Sequence, residues 1–254
     1  MKKYLVACVA IFASLLSCCH DQGVSNDINI NSTLILECRK GNIQGVENCL
    51  RQKADINTMD QNGFTPLMVA SDLGHDKVVR LLLLMGADTE KKDHTGKTPL
   101  MWASFAGHAS VVRLLLLAGA DIEAKDNNGM TSLIISSLQG YSDVVHILLT
   151  AGANMKAREK RGLTPLMVAV MQTHEEVVRQ LILSGADIEE KSASGQTPLM
   201  FASYVGHVPI IRLLLLAGAA TQARDNQGMT ALMIASEAGH QEVVNILKES
   251  ENKK

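Results

Sequence analysis

Thr65-Pro66-Leu67 returns as Thr98-Pro99-Leu100, Thr131-Ser132-Leu133, Thr164-Pro165-Leu166, Thr197-Pro198-Leu199 and Thr230-Ala231-Leu232, each step 33 residues long. A second marker keeps the same step: Gly86-Ala87-Asp88, Gly119-Ala120-Asp121, Gly152-Ala153-Asn154, Gly185-Ala186-Asp187 and Gly218-Ala219-Ala220. At a helix start, Thr accepts a backbone N–H, and Pro in the first turn has no N–H to leave unpaired. A short helix is therefore predicted from Pro66 to about Leu73, ended by Gly74 in the left-handed conformation. A second helix carries Val78, Val79, Leu81, Leu82 and Leu83, a stripe wider than one face, as a helix held between neighbours requires. Gly86 closes it, and Asp60-Gln61-Asn62-Gly63 supplies a tight turn between units. Helices this short do not persist alone, so each unit buries its faces only by stacking.

Outward from this core, a degenerate seventh unit precedes the six, with Ser32-Thr33-Leu34 lying 33 residues before Thr65-Pro66-Leu67 and Gly41, Val46, Leu50 and Ala54-Asp55 also in phase. Period and markers together resemble the ankyrin repeat over roughly residues 30–254. The resemblance implies an all-α solenoid of about seven helix-turn-helix units with short β-turn fingers, at about 30–58, 59–91, 92–124, 125–157, 158–190, 191–223 and 224–254. It also implies a concave surface, made by first helices and fingers, that binds another protein. Two departures stand out. The His that the family carries after Thr-Pro-Leu is Met68, Met101, Ile134, Met167, Met200 and Met233, so its hydrogen bonds must be absent or replaced. Thr173 stands where a loop glycine belongs, although a β-branched residue disfavours positive φ. The end, Lys248-Glu249-Ser250-Glu251-Asn252-Lys253-Lys254, reads as a solvated cap.

Hydrophobic residues make up 46% of the chain and aromatics 3%, a composition suited to helix packing through Leu, Val, Ala and Met. A net charge of -2 gives no electrostatic footprint for nucleic acid, and five cysteines are too few for a disulfide scaffold. The N-terminus follows another pattern. Lys2 and Lys3 precede an apolar run of thirteen residues, Tyr4 to Leu16, too short to span a bilayer and of the length of a signal-peptide core. Leu15-Leu16-Ser17-Cys18 resembles the lipobox of bacterial lipoproteins, which implies cleavage after residue 17 and acylation of Cys18. Leu16 is bulkier than that pattern usually has, and Cys19 blurs the register. Residues 18–29 read as a polar tether. Export to the cell envelope, anchored by lipid, is the expectation, with a released binding protein or an accessory to a periplasmic enzyme as alternatives.

No catalytic constellation departs from the repeat grammar, and no enzyme activity or cofactor is expected. His75, His108, His174, His207 and His240 share one repeat position. Equivalent points on stacked helices lie about 8–10 Å apart, whereas a zinc ion needs its nitrogen and sulfur ligands within roughly 2.0–2.3 Å. The methionine series is core filler rather than a copper site on the same argument. Gly96-Lys97-Thr98 resembles a P-loop tail, but Lys91 stands where the first glycine belongs. Cys38 and Cys49 read as small buried hydrophobes, with a disulfide in the first unit as the alternative.

The partner-facing candidates come from two slots. One slot, just after the Ala-Ser pair, runs Asp72, Phe105, Leu138, Met171, Tyr204, Glu237. The other, just before Thr, holds Phe64, Met130, Leu163 and Met229, interrupted by Lys97 and Gln196. Phe64, Phe105, Met130, Leu138, Leu163, Met171, Tyr204 and Met229 are thus expected to form an exposed apolar strip along the groove of a monomer, with packing onto neighbouring repeats as the alternative. Lys92, Lys125, Arg158, Lys191 and Arg224 form a finger-side row, by default solvated or locally paired. Leu84, Leu117, Leu183 and Leu216 replace a polar residue near the end of the second helix, and either bury under the finger or make a second contact.

Overall fold

The computed structural model describes residues 29–252. The signal-like run, Cys18 and most of the tether lie outside the described residues, as do Lys253 and Lys254. Among those described, fourteen helices form seven antiparallel pairs and no strand occurs. The pairs are α1 (Ile30–Lys40) and α2 (Ile43–Arg51), α3 (Pro66–Asp72) and α4 (Asp76–Leu84), α5 (Pro99–Ala106) and α6 (Ala109–Leu117), α7 (Ser132–Gln139) and α8 (Ser142–Thr150), α9 (Pro165–Met171) and α10 (Glu175–Leu183), α11 (Pro198–Val205) and α12 (Val208–Leu216), and α13 (Ala231–Ala238) and α14 (Gln241–Asn252). Each pair packs on the next to build an all-helical solenoid.

First helices of successive pairs approach one another more closely than second helices do. Small side chains explain this: Ala70, Ala103, Ala169, Ala202 and Ala235 are all fully buried on the first helices. The closer approach bends the stack towards the first-helix side, which becomes concave. One continuous core runs the length of the stack, with Leu67, Leu100, Leu133, Leu166 and Leu199 from first helices meeting Leu82, Leu115, Leu148, Leu181 and Leu214 from second helices. Stability therefore accumulates from neighbour to neighbour.

The caps behave as the repeat predicts. Thr65, Thr98, Thr131, Thr164, Thr197 and Thr230 each accept the backbone N–H three residues on through Oγ1. Part of the missing histidine chemistry is replaced by sulfur: the Thr65 and Thr197 N–H groups donate to Sδ of Met68 and Met200, both at 3.4 Å. In the slot after Thr-Pro-Leu, Met68, Met101, Met167 and Met200 are core, as expected, whereas Met233 in the last described unit is 43% exposed.

The first and last units differ from the phase argument. α1 begins at Ile30, capped by the Asn29 side chain, so Thr33 lies inside the helix rather than at its start. At the other end, α14 continues to Asn252, so most of the charged tail is helical. Cys38 and Cys49 are buried free thiols. Burial, then the neighbouring Cys49 and Glu37, pushes the Cys38 thiol up to about 12.

Candidate partner-binding face

Each finger is locked by its own turn. Asp60, Asp93, Asp126 and Asp225 accept two backbone N–H groups through Oδ1, from residues two and four positions on. Glu159 does the same through Oε1. These turns fix the residue before Thr, and with it Phe64, Met130, Leu163 and Met229, beside the first helices. Four of the five cations in the finger row, Lys92, Arg158, Lys191 and Arg224, are bonded locally. Lys92 donates to the Lys125 carbonyl at 2.9 Å, and Lys191 to the Arg224 carbonyl at 2.9 Å. Arg158 bonds the Gly162 and Lys191 carbonyls and pairs with Glu190.

Phe64 and Phe105 come together around a residue that the repeat pattern does not single out, Trp102. The Phe64 and Trp102 ring centroids lie 4.9 Å apart, and Phe105 meets Trp102 edge-on at 5.7 Å. Asp93 accepts the indole N–H at 3.1 Å, and Lys97 Nζ sits 5.2 Å above the ring centroid. Met130 and Phe105 pack further on Met101, Ala124 and Ile135. Trp102 occupies a slot that holds Val69, Ile135, Val168 and Phe201 in other units, all buried. Periodicity assigns it to the core. The indole is too large for that slot and remains half-buried. Its size, as the chain's one tryptophan, was the available signal.

The rest of the expected strip is less open than the sequence suggests. Leu138, Met171 and Met229 are half-buried against the main core. Leu163 is only 4% exposed and is corrected to a core residue, because its finger folds it under the neighbouring unit. Tyr204 is 51% exposed and stands apart from the aromatic cluster. At the first-unit end of the series, burial raises the carboxyl of Asp72 above its usual range, with His108 and Arg39 drawing it partly down.

The histidines have a structural task. Nε2 of His75, His108, His174 and His240 lies 2.9–3.1 Å from the carbonyls of Arg39, Asp72, Leu138 and Tyr204, each 36 residues earlier. A carbonyl only accepts, so Nε2 carries the proton and donates. Each ring lies over the preceding loop glycine: a Cβ built on Gly41, Gly74, Gly140 or Gly206 would come within 2.5–2.8 Å of Nδ1. Tyr141 covers Gly107 in the same way. The series is a ladder of bonds between units. No group of three or more potential metal ligands occurs among the described residues.

The period of the ladder and the pairwise helices agree with the comparison against known families. The family described as ankyrin repeats (3 copies) matches residues 5–93, 34–126, 83–159, 125–192 and 166–254. The chain belongs to the ankyrin repeat family. Ankyrin repeats are in general protein-interaction modules rather than catalysts. No curated protein matches this ankyrin chain closely enough to bring an activity or a partner with it.

Proposed function

We propose that this ankyrin protein is an exported, non-catalytic binding protein, held in the bacterial envelope by lipid on Cys18, that captures a protein partner on its concave face. The observation that supports the reading is the Phe64-Trp102-Phe105 cluster at the first helices, with Lys97 over the indole and Met130 packed beside Phe105. Aromatic anchors with a cationic neighbour are the residue types that dominate interface energetics. Tyr204, three units further along, supplies a second anchor. Lys2-Lys3, the apolar run to Leu16 and Cys18 support the envelope location.

The test uses the full chain expressed with its leader. Membrane-bound protein that starts at Cys18 and carries acyl mass is expected, and a soluble, unacylated species would refute the anchor. Partner capture from the same cells is compared between the wild-type chain and Phe105→Asp/Tyr204→Asp. The variant is expected to lose the partner while keeping its helical circular dichroism; retained capture, or collapse of the fold, would remove the concave-face assignment.

A further inference from the structure

The outer row of the solenoid carries a surface that the concave-face reading does not use. Leu84, Leu117, Leu183 and Leu216 are 80–86% exposed, at the last turn of α4, α6, α10 and α12. They do not bury under the fingers. The residues that follow each of them are exposed and uncharged as well: Met85-Gly86, Ala118-Gly119, Ser184-Gly185 and Ala217-Gly218. A Cβ on any of these glycines would meet nothing within 4 Å. The only interruption is Thr150-Ala151-Gly152 on α8, which is also uncharged.

One helical turn before each leucine stands an exposed arginine: Arg80, Arg113, Arg179 and Arg212, with His146 in the same position of the interrupting unit. Four residues along a helix span about 6 Å and bring side chains onto one face. The outer helices pack on one another, so these residues form two parallel rows, an apolar ridge and a cationic shelf behind it. Arg179 pairs with Glu175 and Glu176, whereas no ion pair involves Arg80, Arg113 or Arg212 among the described residues. On the other side of the ridge are Asp88, Asp121 and Asp187. Asp88 is half-buried and Asp121 and Asp187 are exposed, and Oδ1 of each is engaged by the N–H two residues on, at 2.8–2.9 Å.

We infer that this ridge docks on an anionic phospholipid surface, with the leucines entering the acyl boundary and the arginines reaching the headgroup phosphates. An amphipathic strip with apolar tips and long cations behind them has this complementarity. A second copy of the chain would need no cationic row beside its apolar contact, whereas an anionic lipid surface uses both rows. The inference is separate from the concave-face reading, since it uses opposite helices and different residues.

Brominated-lipid quenching tests it in the full chain. Wild-type protein carries only Trp102, on α5, and Leu117→Trp adds an indole on the ridge. With vesicles of equimolar phosphatidylcholine and phosphatidylglycerol brominated in the acyl chains, Leu117→Trp is expected to gain strong quenching that wild type lacks. The ratio of docked to undocked ridge, read from quenching of Leu117→Trp on these vesicles, is expected to fall about fivefold for each of Arg80→Gln, Arg113→Gln and Arg212→Gln. Loss of most of the quenching is expected when Leu84, Leu183 and Leu216 are changed to Ser in the Leu117→Trp chain, with unfolding unchanged because these side chains lie outside the core. Equal quenching of wild type and Leu117→Trp, or equal quenching on pure phosphatidylcholine, would overturn the inference. So would a dimer in sedimentation that the Leu→Ser changes dissolve, with no vesicle binding, because the ridge would then belong to a second copy. Since wild type and Leu117→Trp share the leader, an effect of Cys18 or the apolar run cannot imitate the expected difference.

Discussion

Thr173→Gly is expected to stabilise this protein, although it removes side-chain atoms. Thr173 holds a φ of 58°, in the region where its glycine counterparts sit, such as Gly140 at 81° and Gly206 at 79°. A left-handed backbone costs an L-residue with a Cβ about 1–2 kcal/mol. The Cβ has a second consequence. At the equivalent glycines a Cβ would lie 2.5–2.8 Å from the next unit's histidine ring, which leaves no room for that ring to stack. His207, the ring that would cover residue 173, is the member of the series that makes no bond to a carbonyl 36 residues earlier; its Nδ1 instead accepts the Ile210 N–H at 3.4 Å. Glycine at 173 relieves the backbone and frees His207 to donate to the Met171 carbonyl, a bond worth about 1 kcal/mol. Against this stand the added chain entropy of glycine, about 0.5–1 kcal/mol, and the loss of a long cap bond. The net expectation is about 1–2 kcal/mol of stabilisation, or a rise in Tm of about 2–8 °C for a domain of this size. Thermal and urea unfolding followed by circular dichroism measures it, with hydrogen exchange at the junction of α9–α10 with α11–α12 as the local readout. His207→Ala in the same background should remove roughly 1 kcal/mol of the gain. The reciprocal change, Gly140→Thr, should cost more than 1 kcal/mol and displace His174. If Thr173→Gly is neutral or destabilising, or if its whole gain survives His207→Ala, the link between loop and ladder is refuted.

Two more predictions concern buried polar groups. Ser71, Ser104, Ser137 and Ser203 share one slot on the first helices, and their hydroxyls are buried without a partner. Each Ser→Ala change is expected to raise stability by about 1 kcal/mol in denaturant unfolding, because an unpaired hydroxyl is costly to desolvate; Val170 already fills the same slot in the fifth unit with 0% exposure. For Asp72, folding raises the carboxyl pKa, chiefly by burial. The penalty is absent while both states are protonated and fully present above the folded-state pKa. Asp72→Asn should therefore unfold at higher denaturant than wild type at neutral pH, and the difference should vanish as pH falls below the ordinary carboxylate range. An unchanged difference at low pH would point to another cause.

The fold was readable because its determinants are local. A Thr cap, an αL glycine and an Asp-led turn each act within four residues, and repetition shows which are fixed. The groove was less readable. Phase assigns Leu163 and Met130 to the same slot, yet one is buried and the other half-buried, since exposure depends on what the neighbouring unit holds against each. Trp102 was hidden for the opposite reason: its slot belongs to the core elsewhere, and only the size of the indole moves it out. The histidine spacing excluded a shared metal, but the donor–acceptor pairs run between units and follow from the stacking geometry.

Those pairs have a consequence for how such an array can change length. The bonds between units span one period, whether from His Nε2 to a carbonyl 36 residues back, from Lys92 to a carbonyl 33 residues ahead, or from Asp121 N–H to Glu90, 31 residues back. Cut out one full period and rejoin the ends, and nearly every donor meets an acceptor chemically equivalent to the one it lost. Copy number is thus the parameter that in-frame recombination can alter at least cost, and the solenoid can be resized without designing a new junction.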